Sequence, residues 1–330
     1  MKMKTEILKL LRETDGYVSG QQISGQFGVS RTAVWKVIRQ LQEDGYQVEA
    51  VRNKGYHIVD SPDVMTKEEL ASLMNTRWAG RNILYYDVTD STNLRIKQAG
   101  DEGAPHGTLA VADRQTAGRG RRGRTWESPA GSSIYMSILL RPEIAPNKAS
   151  MLTLVMALNV VEGIQECIGN DRDIQIKWPN DIIINGKKLA GILTEMSSQI
   201  DYINHVTVGV GINVNTTDFP EEIAQTATSL RIECGHTVKR APLIAAVMER
   251  LEENYETFLE TEDLSGLLDR YNALLVNCDR DVQIIGAKET YQAHAIGIDH
   301  TGELIVRRED GSIEKINAGE VSVRGVYGYT

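Results

Sequence analysis

Cysteine is scarce: Cys167, Cys234 and Cys278 are the whole set among 330 residues, and they lie far apart. So sparse and odd a set argues against a disulfide framework and against a zinc ribbon, and it suits a reducing compartment. Long apolar runs are missing too. A membrane span needs ~18 uninterrupted apolar residues, and the most apolar stretch, Met151–Val161, is broken by Thr153 and Asn159. The first residues, MKMKTEILKLLRETDG, mix acids with bases and hold no apolar signal core, so a cytoplasmic protein with no membrane partner is expected. The six histidines (His57, His106, His205, His236, His294, His300) show no H-x-x-x-H spacing. No Ser-His-Asp or Cys-His arrangement announces a nucleophile, and there is no internal repeat or biased linker. What remains is ordinary globular material, 41% apolar and 25% charged. At ~150 residues per domain the length suggests two or three domains.

Net charge −9 speaks against nucleic acid, but the average conceals a division. Residues 1–61 carry nine Lys/Arg against seven Asp/Glu, hence +2, and the remainder carries −11. One short window, Asp113–Arg124, holds five arginines and one aspartate. Such asymmetry points to separate tasks, and an electrostatic DNA footprint belongs to the first segment.

That segment reads as three helices and a hairpin. Ile7, Leu8 and Leu11 form one apolar face, Gln21–Phe27 is a second short helix, and Ser30 is a good N-cap for a third over 31–43. On the third helix Val34, Ile38 and Leu41 point inward. Ser30, Arg31, Thr32, Trp35, Lys36 and Arg39 are left to face outward, where they can meet guanine edges or phosphates. Two helices around a Gly-containing turn make a helix-turn-helix. A hairpin around Asn53-Lys54-Gly55 supplies a wing, and Ser61-Pro62-Asp63 marks a boundary. The bulk alternates helix and strand. Thr66–Glu69 has a capping-box pattern, and Asn185-Gly186 is a strong hairpin signal. From 276 onward only short strands and turns appear, spaced as in a small β-barrel. The expected architecture is α+β and multidomain: a winged helix-turn-helix over 1–62, a mixed-sheet α/β domain over 63–275, and a small barrel over 276–330.

Four stretches carry chemistry. GRGRRGR at 118–124 spells G-x-G-x-x-G, yet it lies in a strand-to-strand loop, where a dinucleotide fingerprint needs a strand-turn-helix. Its glycines let backbone approach a ligand closely, and Arg119, Arg121, Arg122 and Arg124 offer bidentate donors for phosphate. The plain alternative is a solvated basic loop, but Gln115 and Trp126 beside it favour a small-molecule site. KWPND at 177–181 sets a lysine at a strand end, though Pro-Asn-Asp also suits a surface turn. Ser91-Thr92-Asn93, taken alone, is a helix cap. Gly191, Gly209 and Gly211 lie inside strands, where glycine is unfavourable unless a flat ligand or a packed helix approaches the backbone.

DSTN at 90–93, QTAGRGRRGRTW at 115–126, KWPNDI at 177–182, KLAGIL at 188–193 and GVGIN at 209–213 stand in the order found in biotin–protein ligases. With the winged helix, the chain resembles the bacterial bifunctional members that also repress the biotin operon. The resemblance implies a biotin/lipoate ligase-like catalytic domain and an SH3-like C-terminal barrel. It implies that biotin and ATP form biotinyl-5′-adenylate, Mg²⁺ accompanying the nucleotide, and that biotin then passes to a lysine of a carrier-protein domain of the acetyl-CoA carboxylase type. Ser91, Thr92, Asn93 and Gln115 would meet the ureido ring. Arg119, Gly120 and Arg121 would fold over biotin and adenylate, and Lys177 would reach the biotin carboxylate and the α-phosphate. Arg122, Arg124, Trp126 and Asn213 would serve the nucleotide. The ligands of that Mg²⁺ are left unassigned by the resemblance. The resemblance also implies operator DNA as partner, the adenylate as corepressor and a homodimer on adenylate binding. The alternatives are a lipoate ligase, whose acid has no ureido ring, and a metabolite-sensing repressor without catalysis.

Overall fold

The computed structural model describes residues 2–286, 289–317 and 322–325, and it divides into two compact units, Met1–Met74 and Asn75–Thr330. Part of the expected barrel, namely 287–288, 318–321 and 326–330, lies outside the described residues.

The first unit contains α1 (Lys2–Glu13), α2 (Gly20–Phe27), α3 (Arg31–Glu43), β1 (Gln47–Val51), β2 (Gly55–Asp60) and α4 (Lys67–Leu73). Local chemistry sets its helix ends. Ser19 and Gln22 form a capping box on α2, which stops at left-handed Gly28, and Ser30 caps α3 by accepting from the Ala33 N–H. Val34, Val37, Ile38 and Leu41 of α3 join Ile7, Leu8, Leu11 and Ile23 in one core. The β1–β2 hairpin packs on the helices so closely that a Cβ on Gly55 would stand 2.1 Å from the Val18 carbonyl oxygen.

Helix α4 belongs to this unit, which therefore runs past the break expected at 62. Thr66 caps α4 as the sequence suggested, but only half of the capping box forms. The other half is diverted: the buried Glu69 carboxylate accepts from Arg12 at 2.6 Å and from the Tyr46 hydroxyl at 2.6 Å. Burial, and then that bond, push the Tyr46 hydroxyl pKa far up. Removing one partner of a buried pair strands the other charge, at a cost of ~3–5 kcal/mol. Arg12→Met is therefore expected to speed exchange of the slowest α3 amides by ~10²–10⁴-fold in native-state hydrogen exchange. Unchanged protection would show that the pair contributes nothing net.

The second unit contains β3 (Ile83–Thr89), α5 (Thr92–Asp101), β4 (Leu109–Gln115), β5 (Ile134–Leu140), α6 (Met151–Ile168), β6 (Ile174–Lys177), β7 (Asp181–Ile184), β8 (Lys187–Ser198), β9 (Ile203–Ile212), α7 (Leu230–Cys234), α8 (Arg240–Thr261) and α9 (Leu268–Leu274). Its seven strands run β3-β4-β5-β9-β8-β7-β6. Only β3 and β4 are parallel, because α5 carries the chain across; the other neighbours are antiparallel. The β7–β8 turn is the expected Asn185-Gly186, both residues at positive φ. The segment Pro146–Ile168 is apolar and long enough to cross a membrane, yet it is mostly buried here. It is a core helix, and Gly163 lets it approach α8: a Cβ there would lie 2.7 Å from Val247 Cγ2. Strands β10 (Arg280–Ile285), β11 (Thr290–Ile298), β12 (Leu304–Arg307), β13 (Ile313–Ile316) and β14 (Ser322–Gly325) form a separate antiparallel sheet. Two short helices escaped the sequence reading: α5, seen there only as a cap, and α7.

Candidate active site

The site begins where β3 passes into α5. Ser91 occupies the N-cap position but its hydroxyl makes no cap bond. Neighbours take the orphan donors instead: Asp90 Oδ1 accepts from the Ser91 N–H at 2.6 Å, and Gln115 Oε1 accepts from the Thr92 N–H at 2.8 Å. Buried Ser91 therefore lines a cavity with Thr92, Asn93 and Gln115. The cavity encloses about 470 Å³, part of it open to solvent, over a floor of Gly191, Gly209 and Gly211.

The strand glycines have two distinct causes. A Cβ on Gly209 would fall 1.9 Å from Asn93 Oδ1, so a side chain of α5 fills that space. At Gly211 and Gly191 the Trp126 indole fills it, 2.5 and 3.0 Å from the Cβ positions. The flat group lying on this floor is thus one of the chain's own rings. Its Nε1 is buried and has no hydrogen-bond partner among the described residues.

The Arg-Gly segment forms a closed hairpin above the floor. The Trp126 N–H donates to the Gly118 carbonyl at 3.0 Å and the Gly120 N–H to the Arg124 carbonyl at 2.7 Å. Gly118 is required there, since a Cβ would meet the Trp126 carbonyl oxygen at 2.3 Å. Arg119, Gly120 and Arg121 line the cavity; Arg122 and Arg124 are exposed beside it. Arg121 donates to Asn180 Oδ1 at 2.9 Å. Burial lowers its pKa and Asp181 opposes that shift, while Arg122 and Arg124 add to it.

Lys177 is 5% exposed, and it is not among the cavity's lining residues. It ends β6, the outermost strand, and β7 separates it from β8, which carries Gly191. The lysine in the cavity is Lys188, near the start of β8. Its ammonium is 2.6 Å from Asp181 Oδ1 and 5.4 Å from the Trp126 ring centroid. Nothing within KLAGIL signals a role for its lysine. Asn213 also stands outside the lining: it is buried, and its amide donates to the Thr228 carbonyl at 3.1 Å. Trp178 of KWPND is structural. Its N–H donates to Asn277 Oδ1 at 2.9 Å and its indole to the Gly302 carbonyl at 3.1 Å, fixing the turn that presents Asn180 and Asp181.

In the first unit Arg31, Thr32, Trp35, Lys36 and Arg39 all face solvent on α3, while the Ser30 hydroxyl serves as the cap. The Arg39 guanidinium lies 5.3 Å from the Trp35 ring centroid. The hairpin adds exposed Arg52 and Lys54, which the sequence reading left out.

The cavity thus sets neutral donors and acceptors at one end against Arg119, Arg121 and Lys188 at the other. Residues 85–213 match the Biotin/lipoate A/B protein ligase family, residues 4–57 an HTH domain, and residues 278–324 the Biotin protein ligase C terminal domain. The chain is 38% identical to the Bifunctional ligase/repressor BirA of Bacillus subtilis, over 97% of this chain and 98% of that protein. It is 33% identical to the Escherichia coli protein of the same description, over 98% and 99%. Among solved structures, the biotin protein ligase of Aquifex aeolicus in complex with biotin and ATP matches with TM-score 0.66 and 32% identity, covering 74% of this chain and 99% of that one.

Proposed function

The chain belongs to the biotin–protein ligase family, and from that premise we propose that it is an ATP-dependent biotin–[acetyl-CoA-carboxylase] ligase that also acts as a repressor of biotin genes. The carrying observation is the two-ended cavity. A cyclic urea needs donor and acceptor together, which Ser91, Thr92, Asn93 and Gln115 supply; an acid joined to a triphosphate needs cations, which Arg119, Arg121 and Lys188 supply.

The reaction needs no protein nucleophile. The biotin carboxylate attacks the α-phosphorus of ATP, pyrophosphate leaves, and the mixed anhydride then yields its acyl group to a carrier lysine. The protein holds two anions together and opposes the charge that builds on phosphate. Lys177, in register with Asp181 and through it with Gly191, reaches the biotin carboxylate and the α-phosphate, Lys188 adds a second ammonium in the lining, Arg119 and Arg121 cover the reacting groups, and Arg122 and Arg124 lie beside them for the polyphosphate. Trp126 covers the floor, which limits water at the anhydride. Mg²⁺ is expected to arrive on the triphosphate; among the described residues there is no group of three or more His, Cys, Asp or Glu that could hold a metal. Mass spectrometry of a purified carrier domain after incubation with protein, biotin and ATP is expected to show one biotinyl addition. Transfer of lipoate and not of biotin would overturn the reading.

The repressor works in the cytoplasm through the winged helix, as a homodimer promoted by the adenylate. One winged helix with a +2 segment binds a half-site weakly; two on a two-fold axis read a palindrome. Support for self-association lies along β8. Strand β7 pairs with it only over Lys187–Gly191, so the stretch to Ser198 has an open edge among the described residues. Beyond it Ile200 and Tyr202 are exposed. An open edge is a template for another strand. The adenylate is expected to tighten both dimerisation and operator binding through a coupling of ~1–3 kcal/mol, roughly 5- to 150-fold. Sedimentation and operator titration at fixed salt test this. Constants unmoved by adenylate would exclude the corepressor role and leave the ligase standing.

A further inference from the structure

We propose that Trp35 is the residue by which α3 recognises thymine, the face of its indole packing on the C5-methyl group of one thymine in each operator half-site. This assignment rests on the repressor reading of the first unit and deepens it.

In a helix-turn-helix the second helix lies in the major groove with its early residues at the base edges. Here that helix is α3, and Trp35 lies in its second turn. The opposite side of α3 is fixed in the core by Val34, Val37, Ile38 and Leu41, so the helix cannot roll to hide the ring. Trp35 is accordingly 49% exposed. Among the described residues of the first unit the other exposed large apolar side chains, Val51 and Val59, belong to the hairpin, and Trp35 alone is aromatic. A lone exposed apolar side chain is ordinary on any surface. This one stands between two cations. Arg31 lies one turn before it and Arg39 one turn after, both exposed on the same row of the helix.

Charge and shape divide the work along this row. The Arg39 guanidinium lies 5.3 Å from the Trp35 ring centroid, and its Nε lies 3.5 Å from the Glu43 carboxylate one turn on. Ring and acid together hold it beside the indole. Arginines here meet phosphates and guanine edges, which offer negative charge and hydrogen-bond acceptors. An indole has one N–H donor, no acceptor and a broad apolar face. The major groove presents one apolar substituent, the thymine methyl. Packing the ring on that methyl takes both out of water, a gain no other base offers. A wedge between base steps is the other use of an apolar side chain on DNA, but it belongs to minor-groove binders. An indole N–H given to a phosphate would position the helix without reading sequence, and it would be indifferent to the methyl.

The test uses the full chain with biotin and ATP, and an operator duplex that this chain selects from a random pool. All titrations share one salt concentration, low enough for every variant to bind. Each thymine is replaced in turn, symmetrically in both half-sites, by deoxyuridine, which lacks only the methyl. At one position wild-type affinity is expected to fall roughly fourfold per half-site, the worth of one buried methyl-sized group. Trp35→Ala is expected to bind the parent duplex at least that much more weakly and to lose nothing further at that position, while losses at other positions persist. Trp35→Phe keeps an aromatic face and drops the N–H, so it is expected to retain the methyl dependence. Three results overturn the proposal: no thymine whose methyl matters to the wild type, a Trp35→Ala chain that keeps every methyl dependence of the wild type, or a Trp35→Phe chain that loses the dependence, which would give the N–H the role. A wild-type chain that selects no duplex would instead overturn the repressor reading.

Discussion

Lys188→Ala is expected to slow biotin-dependent pyrophosphate exchange by ~10²–10³-fold, about 3–4 kcal/mol of transition-state stabilisation, as for other aimed electrostatic donors. Lys188 lines the cavity, held by Asp181 at 2.6 Å and close to the Trp126 ring, so its charge is fixed before substrate arrives. Charge fixed in this way needs little reorganisation when negative charge grows on phosphate. Lys188→Arg should rescue little, since a planar fork does not reproduce a compact ammonium. Exchange by Lys188→Ala within about threefold of wild type, well under 1 kcal/mol, would remove this residue from the mechanism. Lys177→Met is likewise expected to lower exchange in a stable protein, and exchange unchanged there would remove Lys177 from the mechanism.

Removing residues 1–74 is expected to abolish operator binding at fixed salt while leaving biotinylation largely intact. The recognition face of α3 and the basic hairpin lie within that unit, and every cavity residue lies beyond it. The cut must come after α4. A chain starting at 63 keeps α4 but loses Arg12 and Tyr46, so the Glu69 carboxylate and the apolar Leu70 lose the surroundings that bury them. That shorter deletion should give less soluble protein than the longer one, measured as yield and monodispersity. Residues 75–330 that are folded yet unable to biotinylate would mean that the two units are coupled energetically.

Much of this was readable before any coordinates, and for a common reason: the legible features are local. Ser30 caps α3 within three residues, Asn185-Gly186 turns one strand into the next, and Val34, Ile38 and Leu41 fall on one face by helical period alone. The motifs GRGRRGR and STN announced a site because their residue types carry its chemistry wherever the chain takes them. Strand order is different. KWPND and KLAGIL each hold a lysine, eleven positions apart, and neither motif says how the two stand to each other. Asp181 of β7, paired with Lys177 on one side and with Gly191 on the other, brings the two motifs together, a pairing of distant segments. The glycine floor follows the same division. Three glycines in two strands signalled a close approach, but only the folded chain decided that Trp126 and Asn93 make it. Asn93 shows the limit most sharply: in the sequence it follows a helix cap, and it fills the space over Gly209 because α5, β5 and β8 bring it together with Ser137 and Leu193. Caps, turns and amphipathic faces are determined by a residue and its near neighbours, whereas a cavity is made by side chains that meet only after the sheet has closed.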